Sequence, residues 1–271
     1  MDNNVILSAY DKVRLTRSNV RATTADYIRY ILDDFTELHG DRRFGDDNAV
    51  IGGVGRIAGC PVTVIGTEKG KTMQDRMVHR FGAASPEGYR KALRLVKQAE
   101  KFNRPVLFFV DLAGAACGRG AEERGVGQAI AENLYEFGSV MTPMLTVVIG
   151  EGGSGGALAL SVADEIWMLD NAYYSVIAPE SCASILYKEP SRAGEVAESL
   201  KLTAKDLLEL GIIERIVQEP DFTKKEEVEQ FMSSLKSEIA QKLQSLSKVK
   251  VKKLVKLRYE KFRKIGNYDL S

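Results

Sequence analysis

Four short apolar runs in the middle of the chain set its architecture. They are apolar at consecutive positions rather than at alternate ones, which is typical of strands with both faces covered. The runs occupy residues 106–110, 144–149, 165–169 and 174–177. We therefore expect a buried sheet that is covered by helices.

Helical periodicity fills the segments between and around these runs. The first 40 residues are predicted to be helical. Thr24 is the expected cap of a stretch in which apolar side chains, including Phe35 and Leu38, recur at three- and four-residue spacing. A second helix is expected to open at Pro86 and to stop before Pro105. Further helices are predicted at 121–137, 155–162 and 182–187, and a β-hairpin or meander at 49–66.

The last third of the chain carries clear cap signals. Thr203 and Asp206 have the spacing of a capping box, and Gly211 supplies a C-terminal cap before a strand at 212–217. The remainder reads as charged helix. We expect an α/β protein with an N-terminal helical segment (1–45), a central domain (46–220) and a C-terminal charged helical tail (221–271).

Composition excludes several classes of protein. The 271 residues include 38 lysines and arginines against 37 acids, so no global charge indicates nucleic acid or a membrane surface. The first residues lack the apolar core of a secretory signal, and no run approaches a membrane span. Cys60, Cys117 and Cys182 are far apart and fit no disulfide framework or paired-cysteine zinc site. We expect a cytoplasmic location.

One local charge asymmetry stands out in the tail. Residues 248–264 carry nine lysines or arginines and one acid, Glu260. This pattern is typical of a solvated helix end, but its apolar residues also leave open a docking surface for an acidic partner.

The sharpest local feature is a glycine run, Gly150 to Gly156, between a predicted strand and a predicted helix. Such a junction directs backbone N–H groups and the helix dipole at one point, which stabilises a phosphate or an oxyanion. Glycines that only permit tight packing are the alternative. The spacing Gly150-x-Gly152-x-x-Gly155 with Asp170 downstream also matches a dinucleotide fingerprint, which leaves an oxidoreductase as a weaker hypothesis.

A second glycine-rich turn runs from Asp111 to Gly125 and also leaves a buried strand. Two adjacent strands that each end in a glycine turn can aim backbone N–H groups at one oxygen. This arrangement forms an oxyanion hole without side chains, and it suits enolate chemistry on a thioester or a carboxylated urea.

A series of motifs then identifies a family. The chain closely resembles the alpha subunits of bacterial acetyl-coenzyme A carboxylase carboxyltransferase from about residue 9 to residue 220. The motifs that carry the resemblance are Glu37-Leu-His-Gly-Asp-Arg, Gly45-Asp-Asp, Pro86-Glu-Gly-Tyr-Arg-Lys-Ala, Gly120-Ala-Glu-Glu-Arg-Gly, Val148-Ile-Gly-Glu-Gly-Gly-Ser-Gly-Gly-Ala-Leu, Ser175-Val-Ile-Ala-Pro-Glu and Cys182-Ala-Ser-Ile-Leu.

The resemblance implies a crotonase-like fold of repeated ββα units. It implies an active site shared with a homologous, zinc-bearing beta subunit in an α2β2 assembly, with no metal on this chain. The implied reaction moves a carboxyl group from carboxybiotin, held on a biotin carboxyl carrier protein, to acetyl-CoA and gives malonyl-CoA for fatty acid synthesis. A nitrogen of biotin serves as the base in this chemistry, so the reaction needs no histidine from the protein.

The resemblance also suggests roles for individual residues. The backbone amides of Gly155 and Gly156 are expected to hold the ureido oxyanion, with Gly114 and Ala115 on the opposing wall. The expected cofactor-binding residues, which shape the loop, are Gly152, Gly153 and Ser154.

Some side chains keep two interpretations. Glu122, Glu123 and Arg124 are candidates for catalysis but better fit a salt-bridged, helix-capping role. Lys69 and Lys71 follow a strand and are candidates for contacts with CoA phosphates, or for a solvated turn.

One segment departs from the family pattern. Residues 112–117 read Leu-Ala-Gly-Ala-Ala-Cys, without the aromatic residue and proline that the family usually has there. This departure leaves open a different acyl-CoA, or a related biotin-dependent carboxylase or decarboxylase.

Overall fold

The computed structural model describes residues 7–266. Within this range the chain forms twelve α-helices and eight strands. The strands are β1 (Asp34–Glu37), β2 (Val50–Ile57), β3 (Cys60–Thr67), β4 (Val106–Leu112), β5 (Met144–Gly153), β6 (Glu165–Leu169), β7 (Tyr173–Ser175) and β8 (Arg215–Val217). The helices are α1 (Ala9–Thr16), α2 (Thr24–Ile31), α3 (Met73–Val78), α4 (Pro86–Lys101), α5 (Arg119–Glu123), α6 (Val126–Ser139), α7 (Ser154–Leu158), α8 (Pro179–Tyr187), α9 (Ala193–Ser199), α10 (Ala204–Glu209), α11 (Lys225–Ser247) and α12 (Val251–Lys264).

All eight strands belong to one sheet. Its order is β1-β2-β3-β4-β5-β6-β8, and β7 pairs with the carboxyl end of β5. β1 pairs with β2 and β2 pairs with β3 in antiparallel fashion, which confirms the predicted hairpin. The pairs from β3–β4 onward are parallel. The carboxyl ends of β3, β4 and β5 therefore lie at one edge of the sheet.

The core lies on both faces of the central strands. Every residue of β4 and β5 is buried, as the continuous apolar runs predicted. α4 begins with Pro86 at its first turn and packs Ala92, Leu95 and Val96 into the core. A smaller apolar cluster joins α1 to α9 and β7 through Val13, Tyr173 and other buried residues.

The N-terminal prediction was wrong after residue 31. Thr23, rather than Thr24, is the N-cap of α2, and the helix ends at Ile31 because Leu32 adopts an extended conformation. Phe35 then lies in β1, where pairing with β2 satisfies the backbone groups that a longer helix would have bonded internally.

Two other predicted helices have different bounds. The helix expected at 121–137 is divided into α5 and α6 because Gly125 adopts a left-handed conformation with φ of 78°. The helix expected at 155–162 begins at Ser154 and ends at Leu158. The capping box of Thr203 and Asp206 is confirmed, with Leu210 rather than Gly211 at the C-cap.

The described part of the tail is helical, as predicted, but its basic segment is not merely solvated. The Arg258 side chain is fully buried and donates to the carbonyl oxygens of Phe137, Val140 and Thr142 and to the Asp164 carboxylate. α12 is thus anchored against the end of α6. The terminal residues 1–6 and 267–271 of the two predicted flanking segments lie outside the described residues.

Candidate functional site

The two glycine-rich segments meet where β4 and β5 end. In these neighbouring parallel strands Leu112 pairs with Gly152. A methyl group placed on Gly153 would overlap the Ala113 carbonyl, and one placed on Gly156 would lie 2.8 Å from the Ala115 nitrogen. The fold therefore brings the two predicted sets of backbone amides side by side.

The predicted glycine loop is mostly not a loop. Gly152 and Gly153 are the last residues of β5, and they pair with Tyr174 and Ser175 of β7. The chain turns sharply only at Ser154, whose φ of 59° is left-handed, and this residue begins α7. The sequence alone concealed this extension of β5, because glycine has a low strand propensity.

Close packing explains most glycines of the run. A methyl group on Gly150 would overlap the Asp111 carboxylate, one on Gly152 would lie 2.8 Å from the Tyr174 ring, and one on Gly156 would lie 2.6 Å from the Tyr89 hydroxyl. Gly155 differs, because its nearest neighbour would be the Ile130 side chain at 3.8 Å. Only at Gly155 does the surrounding structure leave room for a side chain.

The backbone amides of Gly155 and Gly156 lie in the first turn of α7. N–H groups in the first turn of a helix have no acceptor within the helix, and they carry partial positive charge. Two such amides beside the Ala115 backbone can stabilise negative charge on an oxygen. The segment that holds Ala115 is fixed because Ala116 donates to the Ala84 carbonyl oxygen at 2.8 Å.

A buried hydroxyl lies directly behind these amides. Tyr89 is inaccessible to solvent, and its hydroxyl has no hydrogen-bond partner within residues 7–266. Burial, with a smaller contribution from the Asp47 carboxylate, raises the pKa of Tyr89 above its usual value. The Tyr89 hydroxyl is thus neutral beside Gly156.

A buried cluster of ion pairs includes Glu151 of β5. The Lys69 ammonium lies 2.6 Å from Asp111 and 2.9 Å from Glu151, and Arg17 lies 3.0 Å from Glu151. The Tyr173 hydroxyl donates to Glu151 at 3.0 Å. Lys69 follows β3, and Asp111 and Glu151 lie near the carboxyl ends of β4 and β5. Charged residues directly after the apolar runs were therefore the signal that could have revealed this cluster.

The cluster determines the charges of its members. Burial opposes the charged form of Glu151, but Lys69 and Arg17 outweigh it and lower the pKa of that carboxyl. Burial would also lower the pKa of Lys69, yet Asp111 and Glu151 raise it. Burial dominates at Asp111 and raises its pKa.

The structure separates the two lysines suggested for phosphate binding. The Lys69 side chain is mostly buried and its ammonium is paired with Asp111 and Glu151, so it is not part of a solvated turn. Lys71 is about half exposed and lies 2.6 Å from Asp26.

The three charged residues near α5 lie apart from the paired glycines. Arg124 lies 2.6 Å from Glu87 and stacks on the Phe44 ring, while Glu123 forms a surface pair with Arg119 at 2.6 Å. These contacts agree with the salt-bridged role for Glu123 and Arg124.

An apolar cavity of about 430 Å³ opens at the start of α7. Its lining includes Ser154 and Gly155 together with Leu158, Tyr174 and Leu207. A mainly apolar cavity of this size is typical of a small-molecule site.

The dinucleotide interpretation conflicts with this geometry. α7 has five residues, whereas the fingerprint requires a long helix whose N-terminus faces the pyrophosphate. Asp170, the candidate ribose ligand, instead accepts a hydrogen bond from the Glu219 backbone at 3.0 Å.

Residues 7–266 lack two kinds of feature. No helix in that range is long and apolar enough to cross a membrane. The same residues contain no group of three or more histidine, cysteine, aspartate or glutamate side chains placed to hold a metal ion.

Comparison with known proteins gives consistent matches over almost the whole chain. Residues 3–266 match the family model described as acetyl co-enzyme A carboxylase carboxyltransferase-like. The chain is 55% identical over 262 residues to an acetyl-coenzyme A carboxylase carboxyl transferase subunit alpha of Ruminiclostridium cellulolyticum, with 96% of this chain and 98% of the relative covered. It is 52% identical to the fused subunits beta/alpha of Natranaerobius thermophilus, covering 97% of this chain but only 43% of that relative.

Solved structures agree on the fold. A transcarboxylase 12S core has a TM-score of 0.64 at 19% identity and covers 86% of this chain and 45% of its own. The beta subunit of a geranyl-CoA carboxylase from P. aeruginosa has a TM-score of 0.62 at 18% identity. It covers 85% of this chain and 44% of its own. The predicted crotonase-like fold is confirmed.

Proposed function

The chain belongs to the acetyl co-enzyme A carboxylase carboxyltransferase-like family, and we propose that it is the alpha subunit that takes part in carboxyl transfer to acetyl-CoA. The observation that carries this function is the meeting of two backbone amide sets at the ends of β4 and β5, beside an apolar cavity. The product is malonyl-CoA, so the chain serves fatty acid synthesis.

The residues around the cavity fit a biotin group. Its bicyclic body is largely apolar and suits walls such as Leu158 and Leu207. Its ureido oxygen needs hydrogen-bond donors, which the amides at the Gly155 end of the cavity supply. When bound, carboxybiotin supplies the carboxyl group and a nitrogen base.

The chain itself then contributes binding, orientation and electrostatics. The amides of Gly155 and Gly156 hold the ureido oxygen, and those of Gly114 and Ala115 form the opposing wall. These donors are preorganised by the fold, so they stabilise developing charge without rearranging during the reaction.

Three further residues shape this site. Gly152 and Gly153 extend β5 until it meets β7, which fixes the direction in which α7 begins. Ser154 then adopts the left-handed conformation that turns the chain into α7. The three residues thereby position the amides against the cofactor.

A beta subunit is the expected partner. The relative from Natranaerobius thermophilus carries beta and alpha subunits in one chain, which supports association of the two. We propose an α2β2 assembly in which the beta subunit bears zinc and completes the site, and a separate carrier protein delivers biotin. Three free cysteines agree with a reducing cytoplasm.

The decisive experiment compares the chain with and without its beta subunit. We expect the reverse reaction, decarboxylation of malonyl-CoA with biocytin as acceptor, to require both subunits, because the transfer needs two oxyanion sites. Full turnover by this chain alone would disprove the subunit role. Absence of turnover with a folded, assembled beta subunit would disprove the activity.

A further inference from the structure

A second cavity lies beside the cavity at Gly155, near the basic end of the tail. It has a volume of about 860 Å³ and lies between α6 and α12. Leu158 and Phe262 line both cavities, so the two adjoin each other. We call this surface the α6–α12 groove.

The walls of the α6–α12 groove are apolar and exposed. Leu134, Val162 and Val255 line its floor, while Tyr135 and Tyr259 stand at its edges. Tyr135 is 82% exposed, and Tyr259 is 64% exposed. Exposed aromatic side chains around an apolar floor are characteristic of protein interaction surfaces.

The rim of the groove is cationic. Lys252 and Lys256 line it, and Lys253 is an exposed neighbour on the same helix. The first turn of α12 contains no acidic residue, although acids are favoured at a helix N-terminus. Lysines in that turn add like charge to the positive end of the helix dipole, so an anionic partner would relieve an existing repulsion.

Because α12 is anchored by ion pairs, the α6–α12 groove is a fixed surface and not part of a loose tail. Arg258 ties the helix to α6 and to Asp164, and Lys261 lies 2.8 Å from Glu214. These two cations are used internally. Lys252 and Lys256 line the groove, and Lys256 also lies 3.6 Å from Glu260 on the same helix. The helix therefore presents a fixed arrangement of charge beside an apolar floor.

We propose that the α6–α12 groove is the docking site for the biotin carrier domain, through an acidic surface next to its biotinyl-lysine. The inference rests on the proposed function, since the groove matters because it adjoins the cavity at Gly155. The carrier is the reactant that must reach this site as a protein, and its tethered biotin has to enter from a surface continuous with the site. Charge complementarity with Lys252 and Lys256 sets the orientation of the carrier.

The test compares two acceptors in the assembled alpha–beta enzyme. Free biocytin needs only the cavity at Gly155, whereas the biotinylated carrier domain also needs the groove. For Lys252→Glu/Lys256→Glu we expect the KM for the carrier to rise about tenfold, with biocytin kinetics unchanged. The KM for the carrier should also rise with salt in the wild-type enzyme.

A neutral variant tests the apolar part of the groove. Tyr135→Ala removes an exposed ring, so it should leave the melting temperature unchanged and raise the KM for the carrier by about five- to thirtyfold.

The matched control for the double lysine variant is Lys101→Glu/Lys225→Glu, which makes the same charge change on α4 and α11. We expect this control to leave the KM for both acceptors unchanged.

Three results would overturn the docking site. The first is an unchanged KM for the carrier in both groove variants, and the second is an equal effect on biocytin and carrier. The third is loss of beta-subunit assembly, which would show that the beta subunit covers the groove. If wild-type enzyme fails to use biocytin, the proposed function fails instead.

Discussion

The glycines that follow β4 and those at the end of β5 lie next to each other in the fold, but they have different structural roles. A methyl group on Gly150 or Gly153 would overlap neighbouring atoms, whereas Gly114 and Gly118 have nothing within 4 Å of such a methyl group. The β5 glycines let strands and side chains approach closely. The β4 glycines leave open space in front of the proposed oxyanion site. Similar composition thus conceals a packing role in one segment and an open cleft in the other.

Gly153→Ala should have the largest effect. Its methyl group would overlap a backbone carbonyl, that of Ala113, which cannot move without disturbing the pairing of β4 with β5. We expect a loss of about 3 kcal/mol or more in the free energy of unfolding, or no folded protein. Chemical denaturation and yield of soluble protein measure it. A fully stable variant would show that the two strand ends are not in contact.

Gly155→Val should reduce activity while leaving the fold intact. Its surroundings have room for a side chain, but valine would crowd the ureido oxygen or tilt the amide that holds it. We expect turnover with the beta subunit to fall by about 10²–10³, the typical cost of losing one oxyanion-hole donor. Thermal melts beside steady-state kinetics distinguish the two outcomes. A large fall in melting temperature would assign Gly155 to packing, and full turnover would remove it from the site.

Gly156→Ala should be intermediate and partly reversible by a second change. Its methyl group would lie 2.6 Å from the Tyr89 hydroxyl and 2.8 Å from the Ala115 nitrogen. We expect a loss of about 2 kcal/mol in the free energy of unfolding, of which Tyr89→Phe restores about 1 kcal/mol. A double-mutant cycle by urea denaturation measures the coupling. If the changes in the free energy of unfolding are strictly additive, the methyl group at position 156 and the Tyr89 hydroxyl are not in contact.

Gly114→Ala should have the smallest effect, and of opposite sign. The added methyl group meets no neighbour, and alanine restricts the unfolded chain more than glycine does. We expect the free energy of unfolding to rise by about 0.4–1 kcal/mol. Thermal denaturation of Gly114→Ala and Gly153→Ala, measured side by side, compares the two glycine segments directly. A marked destabilisation would indicate that the β4 segment is packed as tightly as the end of β5.

Much of the fold and the location of the site could be predicted from local pattern. Continuous apolar runs predicted β4, β5 and β6, and the motif string predicted the family and its crotonase-like fold. The pattern failed where pairing partners decide the structure. Phe35 fits a helical stripe, but it lies in β1 because β2 offers backbone partners there.

The candidate site likewise combines features that the sequence predicted with features that depend on distant contacts. Two glycine segments after two strands were visible in the sequence, and so was their expected proximity. Which glycines are packed and which one faces open space depends on residues distant in the chain, such as Tyr89, Asp111 and Tyr174. The buried cluster of Lys69, Asp111 and Glu151 likewise joins three strands that no local spacing connects.

The sequence by itself determined most of the elements, the family and the chemical character of the glycine segments, because apolar periodicity, caps and motif order are local properties. Only the tertiary structure decided that β5 runs on to Gly153, that Lys69 is buried, and that Arg258 anchors a basic helix beside an apolar groove. These features depend on contacts between residues far apart in the chain. Burial and ion pairing at such contacts change what a side chain can do, and no local pattern records them.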